Sequence, residues 1–436
     1  MRKTKRLIQC LVLTALFCAT LLAQMTKSEE ERALQNFESM GKTNAQILTI
    51  LDNSHRAGFL YFTTDWCGAC KELEKHVFAK PEFKQYLKDH FIPFLIDADK
   101  NTGPALKDLY HIGAYPTVAI VSPQGKVIDK IVGYDTYDIF LNKLKDIVKG
   151  IDTFEQLINE YNLAPNNEAK AITLAERYLS FYDYTSAKPI LEKLILNSKN
   201  PKKMPEFLFG LGQYYYNLQS PQAAPFFERI IRESPDYPDI EMVYWELGII
   251  YSNFEQQPQK RIELFESGIK KGAIKNYLSN VRYCEAVDSV TLKEWKNALG
   301  YLDKSSEYAP GLSFVPLLRS YCLTQMGRVE EGRRLFDKVY SDNSQDHQKL
   351  LQLISACIQF KVYVKEALTW MEPIAAQDGG KNSLILYGYA QLLALNGQKQ
   401  KALSVMEKAV AMTPAPQVRA VMEQEVDKLR RELKKT

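Results

Sequence analysis

A chain of 436 residues with 46% hydrophobic and 25% charged residues is too long for one core and too apolar for a disordered protein, so two or three folded domains are expected. The formal net charge is only +4, and Lys and Arg are interleaved with Glu and Asp along the chain. No basic stripe is left to bind nucleic acid, and no nucleic-acid partner is expected.

The first elements in chain order are Arg2, Lys3, Lys5 and Arg6, then an uncharged apolar run from Leu7 to Leu22, then the small Ala23 before Gln24. That order is the layout of a secretory signal peptide over residues 1–24, and it predicts an exported protein. A retained anchor is one alternative, because the run approaches the length of a membrane span. A lipoprotein centred on Cys18 is another, although Phe17 is bulky where a small residue is needed. No later segment is long and apolar enough to span. Of the seven cysteines, five follow this segment: Cys67, Cys70, Cys284, Cys322 and Cys357. An odd number with one close pair is not a disulfide framework.

A helix around Ala45–Leu51 precedes a buried aromatic strand, Gly58–Thr63. Trp66-Cys-Gly-Ala-Cys70 follows, and Leu73 and Val77 give helical spacing over Lys71–Phe78. Pro81–Phe91 reads as a second helix, Ile92–Ile96 as a strand ending at Asp97-Ala-Asp99, and Pro104–Tyr110 as a helix opened by proline. Pro116–Val121 and Lys126–Val132 are strands about a Pro-Gln-Gly turn, and Tyr137–Val148 is an amphipathic helix. The order β-α-β-α-β-β-α predicts an α/β fold with a mixed sheet over residues 25–150.

After Gly150 strand signals stop and the chain is helical to its end. A residue that is small or permissive is followed four positions later by a large apolar one in seven places. These pairs are Ala187–Leu191, Ala223–Phe227, Arg261–Phe265, Ala298–Leu302, Gly332–Phe336, Ala367–Met371 and Ala402–Met406. Successive first members are 36, 38, 37, 34, 35 and 35 residues apart. That is the period of tetratricopeptide helix-turn-helix units, in which a small residue lets neighbouring helices approach and the large one fills the gap. An all-α repeat solenoid is therefore expected over residues 151–436, closed by a capping helix from Pro416 to Leu433. Arg261 departs from the small-residue rule, so its repeat is expected to be looser. A solenoid face of this kind predicts a protein partner.

The chemistry is expected at Cys67 and Cys70. A Cys-x-x-Cys between a strand and a helix places its first thiol among unpaired N–H groups at the positive end of the helix, which favours the thiolate. Cys67 then attacks or is attacked, and Cys70 resolves the mixed disulfide. No cofactor is called for. Zinc is the competing reading, but His55, His76, His90 and His111 form no spaced pair and no metal is expected; a purely structural disulfide is the other. Cys284, Cys322 and Cys357 sit among Tyr, Leu and Ile at helical positions, where inert buried thiols are expected.

Asp65-Trp-Cys-Gly-Ala-Cys-Lys71 resembles the active site of the thioredoxin superfamily, and Tyr115-Pro-Thr117 after Gly113 resembles its cis-proline loop. Within the superfamily, Cys70 to Phe78 with the following Pro81 is similar to the carboxy-terminal periplasmic domain of the DsbD-type transmembrane reductant carrier. The resemblance implies a thioredoxin-like fold, Cys67 as nucleophile, Cys70 as resolving thiol and a cis Pro116 beside them. Trp66 belongs to the same catalytic motif, and Tyr115 and Thr117 would meet the substrate. Where many thioredoxins keep a buried Asp, six residues before the first Cys, this chain has Tyr61. Glu74, one turn beyond Cys70, would replace it as proton acceptor, or is a solvated helix residue.

The reading that follows is an exported, periplasmic thiol–disulfide oxidoreductase acting on protein disulfides. Gly68-Ala69 lacks the His of strongly oxidising relatives, which favours a reductase over an oxidase or isomerase. A membrane-embedded thiol reductant would be its electron donor. The rival reading is a repeat scaffold whose cysteine pair is vestigial or senses redox state.

Overall fold

The computed structural model describes Leu34, Phe37 and residues 41–198, 200–309, 314–413 and 416–434. The expected signal peptide lies outside the described residues. Among the described residues no helix is long and apolar enough to cross a membrane. The chain forms two compact units, with the cut between Tyr214 and Tyr215.

In the first unit α1 (Asn44–Ser54) leads into β1 (Ala57–Thr63), and α2 (Gly68–Leu73) runs directly into a π-helical turn, Glu74–Phe78. Next come α3 (Pro81–His90), β2 (Phe91–Asp97), α4 (Gly103–Leu109), β3 (Thr117–Val121), β4 (Val127–Val132) and α5 (Tyr137–Lys149). The sheet order is β2-β1-β3-β4; β1 pairs parallel with β2 and antiparallel with β3, and β3 pairs antiparallel with β4. This is the expected mixed α/β layer. The strands differ from their predicted bounds by one residue at most ends, because turn residues and alternation mark them clearly.

Period-two alternation divides β1 between two cores. Phe59 and Tyr61 pack with Leu73, Val77, Phe78, Phe83 and Phe140 on one face, while Leu60 and Phe62 pack with Ile47, Leu51, Leu106 and Tyr110 on the other. Each fully buried aromatic or Leu contributes about 1.5–3 kcal/mol relative to exposure. The helix predicted over Lys71–Phe78 starts earlier, at Gly68, and its second half is a π turn closed by the Ala79 N–H donating to the Glu74 carbonyl at 2.9 Å. The wider turn buries Glu74, Val77 and Phe78 together.

Four helices complete the first unit: α6 (Phe154–Leu163), α7 (Glu168–Ser180), α8 (Tyr184–Asn197) and most of α9 (Met204–Asn217). Their apolar faces, among them Phe154, Leu174, Ala187, Leu191 and Phe207, form a core that also takes in Val127 and Val132 of β4. The change of character at Gly150 and the limit of the compact unit therefore do not coincide.

The second unit is helical throughout its described residues. It contains α10 (Ala224–Glu233), α11 (Ile240–Ile249) with a π turn at Ile250–Phe254, α12 (Pro258–Lys270), α13 (Leu278–Thr291), α14 (Trp295–Tyr308) and α15 (Phe314–Gln325). It continues with α16 (Val329–Asn343), α17 (His347–Phe360), α18 (Val364–Asp378), α19 (Ser383–Leu395), α20 (Lys399–Met412) and α21 (Pro416–Leu433). All seven small–large pairs of the repeat are buried. Arg261 does not loosen its repeat. It is 2% exposed, and its guanidinium donates to both carboxylate oxygens of Asp288 at 2.6 and 2.7 Å. A planar bidentate pair fills the place that apolar packing fills in the other repeats.

Candidate active site

Sheet topology brings three loops to one end. Because β1 and β2 are parallel, Thr63 and Asp97 are neighbours at their carboxyl ends, and antiparallel β3 begins opposite Phe62 at Thr117. The loops at Trp66, at Asp99 and at Pro116 therefore leave the sheet together, at the edge where open α/β sheets place their sites.

Cys67 caps α2 with an extended backbone, and its Sγ accepts from the Cys70 N–H at 3.1 Å. The two sulfurs form a disulfide. Cys67 is 5% exposed and Cys70 is fully buried, so Cys67 is the less enclosed of the two. Trp66 stands half-exposed beside it, donating from Nε1 to Asp99 Oδ2 at 2.8 Å and meeting the Tyr115 ring edge-on at 5.9 Å. The Tyr115–Pro116 bond is cis. The Pro116 carbonyl accepts from the Gly133 N–H at 2.8 Å, which ties the loop to the end of β4.

The acidic loop after β2 braces this arrangement. Lys100 bridges Asp65 and Asp97, its Nζ 2.8 Å from Asp97 Oδ2. Burial works against the Lys100 charge, but the two carboxylates hold its pKa above the usual lysine value. Gly103 is required where α4 starts, because a Cβ there would lie 1.8 Å from the Asp97 carbonyl oxygen. In the sequence Asp97 and Asp99 are legible only as the Asp-Ala-Asp that ends a strand, and nothing there marks Lys100 as a partner.

Behind the disulfide, Glu74 is 6% exposed and Tyr61 is fully buried. The Tyr61 hydroxyl donates to Glu74 Oε1 at 2.8 Å and lies 3.4 Å from the Cys70 carbonyl oxygen. Glu74 is thus not a solvated helix residue. The expected substrate-side residues differ from each other. The Tyr115 hydroxyl is buried without a hydrogen-bond partner among the described residues, and burial together with Asp99, Asp108 and Asp97 raises its pKa. Thr117 is buried, and its hydroxyl donates to the Ala114 carbonyl at 2.8 Å, closing the loop instead of facing outward.

The histidines stay apart: His76 pairs with Glu72, His90 lies 2.9 Å from the Tyr86 carbonyl oxygen, and His111 faces Asp183. Among the described residues no three His, Cys, Asp or Glu side chains gather to hold a metal ion. Cys322 and Cys357 are buried, and burial raises the pKa of each, to about 11 and about 12.

The family model of the thioredoxin-like domain matches residues 43–147. Residues 43–147 form a thioredoxin-like domain. The thiol:disulfide interchange protein DsbD of Photorhabdus laumondii is 30% identical over 132 residues, which are 28% of this chain and 22% of that protein. The chain thus spans about a fifth of that relative's length. A mitochondrial thioredoxin domain-containing protein of Schizosaccharomyces pombe is 21% identical over 330 residues, covering 73% of this chain and 81% of its own. Among solved structures, a tetratricopeptide repeat protein from Parabacteroides merdae aligns with 53% of this chain and 88% of its own, at 15% identity and a TM-score of 0.34. The architecture is a thioredoxin-like domain followed by helices whose buried small–large pairs recur every 34 to 38 residues. In the thioredoxin-like domain the Cys67–Cys70 pair is the redox centre.

Proposed function

We propose that this protein is an exported, periplasmic thiol–disulfide oxidoreductase that reduces protein disulfides, and that its repeats bind a protein partner. The observation that carries the reading is the Cys67–Cys70 disulfide at a helix start, with Cys67 the less enclosed sulfur-bearing residue and a buried Glu74–Tyr61 pair behind it. In the reduced protein the Cys67 thiolate, favoured by the helix N-terminus, attacks one sulfur of a client disulfide. A mixed disulfide forms and the client's other sulfur leaves as a thiolate. Cys70 then gives its proton to Glu74 and attacks the Cys67 sulfur. The second client thiolate leaves, the Cys67–Cys70 disulfide forms, and two electrons have passed to the client. A dithiol donor, of the membrane-embedded kind, returns the pair to its reduced state. Trp66 and the cis Pro116 loop frame the sulfur that the client approaches, with Tyr115 beneath Trp66.

The test is the redox equilibrium of the purified chain against glutathione, followed by Trp66 fluorescence, with Cys67→Ser as control. A reversible two-electron transition below about −200 mV supports a reductase. A value near the oxidant end, about −120 mV, would reverse the direction and keep the class. No reversible transition would leave the repeat scaffold as the better account.

A further inference from the structure

The first helical hairpin lies against the loop that carries the cis proline. Both belong to one compact unit. The turn between α7 and α8, at Phe181-Tyr182-Asp183, meets the segment from His111 to Gly113. His111 Nδ1 is 3.4 Å from Asp183 Oδ1 and 3.2 Å from Ser186 Oγ. The His111 carbonyl accepts from Lys130 Nζ at 3.0 Å, and that ammonium sits 5.3 Å over the Phe181 ring. Gly113 is pressed against the turn itself: a Cβ there would lie 2.4 Å from the Tyr182 carbonyl oxygen. Farther along β4, Asp129 accepts from Arg177 at 3.0 Å and from the Phe154 N–H at 3.1 Å.

The loop has few tethers of its own. Among the described residues the N–H groups of Gly113, Ala114 and Tyr115 donate to no backbone carbonyl. The segment is held by the Thr117–Ala114 closure, by the Gly133 N–H on the Pro116 carbonyl, by the packing of Tyr115 and, at its start, by the hairpin turn. Tyr115 in turn packs against Trp66, beside Cys67.

We propose that the first repeat hairpin is a working part of the redox site, with Asp183 and His111 as positioning residues that set the cis-proline loop for disulfide exchange. This rests on the oxidoreductase reading above. Asp183 suits the role because one carboxylate does two jobs: it caps α8 by accepting the Ser186 N–H at 3.0 Å, and it faces His111. The hairpin's fold and the loop's position are thereby set by the same side chain. A displaced loop misplaces the client relative to Cys67, and a misplacement of about 1 Å is enough to slow a reaction about a hundredfold.

The experiment uses the full chain. It measures kcat/KM for reduction of a disulfide-bonded protein, insulin, and amide hydrogen exchange over residues 111–117, in wild type, Asp183→Ala, Asp183→Asn and Thr153→Ala. Thr153 caps α6 as Asp183 caps α8, and its capping hydrogen bonds are with Gln156, not with residues 111–117, so Thr153→Ala serves as the control for loss of a cap. The expected result is a fall of about tenfold or more in kcat/KM and faster exchange at 111–117 for Asp183→Ala, recovery of most of both in Asp183→Asn, and neither change in Thr153→Ala. An active wild type matched by Asp183→Ala in both readouts, or Thr153→Ala with the same losses, overturns the proposal alone. A wild-type chain that reduces no disulfide overturns the reductase reading and this proposal with it.

Discussion

The Tyr61 hydroxyl donates to the Glu74 carboxylate at 2.8 Å, one helical turn behind Cys70. Tyr61 stands on β1 at the position where many thioredoxins carry a buried Asp, and here it holds a carboxylate that comes from the helix instead. In this chain the buried acid lies on the helix, and the strand residue is its hydrogen-bond donor. A buried carboxylate needs such a partner, since an unpaired one costs several kcal/mol, roughly, to keep from water.

If Glu74 takes the Cys70 proton, Glu74→Gln is expected to slow resolution of the mixed disulfide by about a hundredfold while leaving the first attack by Cys67 near its wild-type rate. Tyr61→Phe keeps the ring, which meets Phe78 edge-on at 4.9 Å, and removes the hydroxyl alone. Its effect on resolution is expected to be smaller and in the same direction. Rapid acid quench with thiol alkylation separates the two steps. Equal slowing of both would remove Glu74 from the proton path.

In the repeats, Arg261 and Asp288 are a buried pair at 2.6 Å, and Ser252 donates to the same carboxylate at 3.0 Å. Arg261→Ala leaves Asp288 charged and buried without its counter-ion, which is expected to destabilise the second unit by about 3–5 kcal/mol. Arg261→Met with Asp288→Leu is expected to recover most of that loss, because two apolar groups of similar volume carry no desolvation penalty. Thermal unfolding of the single and double variants checks both statements.

The difference between Arg261 and its six counterparts shows which features were legible beforehand. Ala187, Ala298 and Ala402 reveal their packing through a period of about 34 residues, a short-range signal repeated seven times. The β1 strand, Trp66-Cys-Gly-Ala-Cys70 and Tyr115-Pro-Thr117 were equally readable, since each is local in sequence. The Arg261–Asp288 pair was not, because it joins residues 27 positions apart with no pattern between them. The same holds for Arg177 with Asp129, 48 apart, and for His111 with Asp183, 72 apart. Glu74 is legible as a candidate, but its burial depends on a π turn that residue spacing does not announce.

Lys130 gives a pH dependence with a definite sign. Burial pulls its pKa from 10.5 to about 8, against Asp183 and Asp129, which act to raise it. The folded chain therefore releases this proton at lower pH than the unfolded chain. Between about pH 8 and 10.5 the unfolded state binds more protons, so the stability of the first unit is expected to rise with pH across that window. Below pH 8 the buried charge exerts its full cost. Lys130→Met is expected to remove this contribution to the slope, and the difference between the two unfolding curves, taken with the disulfide intact, isolates Lys130 from the other groups that titrate there.

Cys70→Ser separates the enzyme from the scaffold. With Cys67 left to attack and no thiol to resolve the product, a client that enters the site stays joined through Cys67 as a mixed disulfide. Cys70 is fully buried and Cys67, at 5% exposed, is the less enclosed of the two, so Cys67 is the expected point of attachment. Cys70→Ser expressed in cells is therefore expected to accumulate higher-mass adducts that reductant releases, and Cys67→Ser with the same repeats is expected to form none. A scaffold working through its repeats binds the same partners whichever cysteine is replaced, without a reductant-sensitive bond. Non-reducing gels of the two variants, compared band by band, decide between the readings: adducts in Cys70→Ser alone place the chemistry at Cys67, and identical lanes leave binding to the repeats.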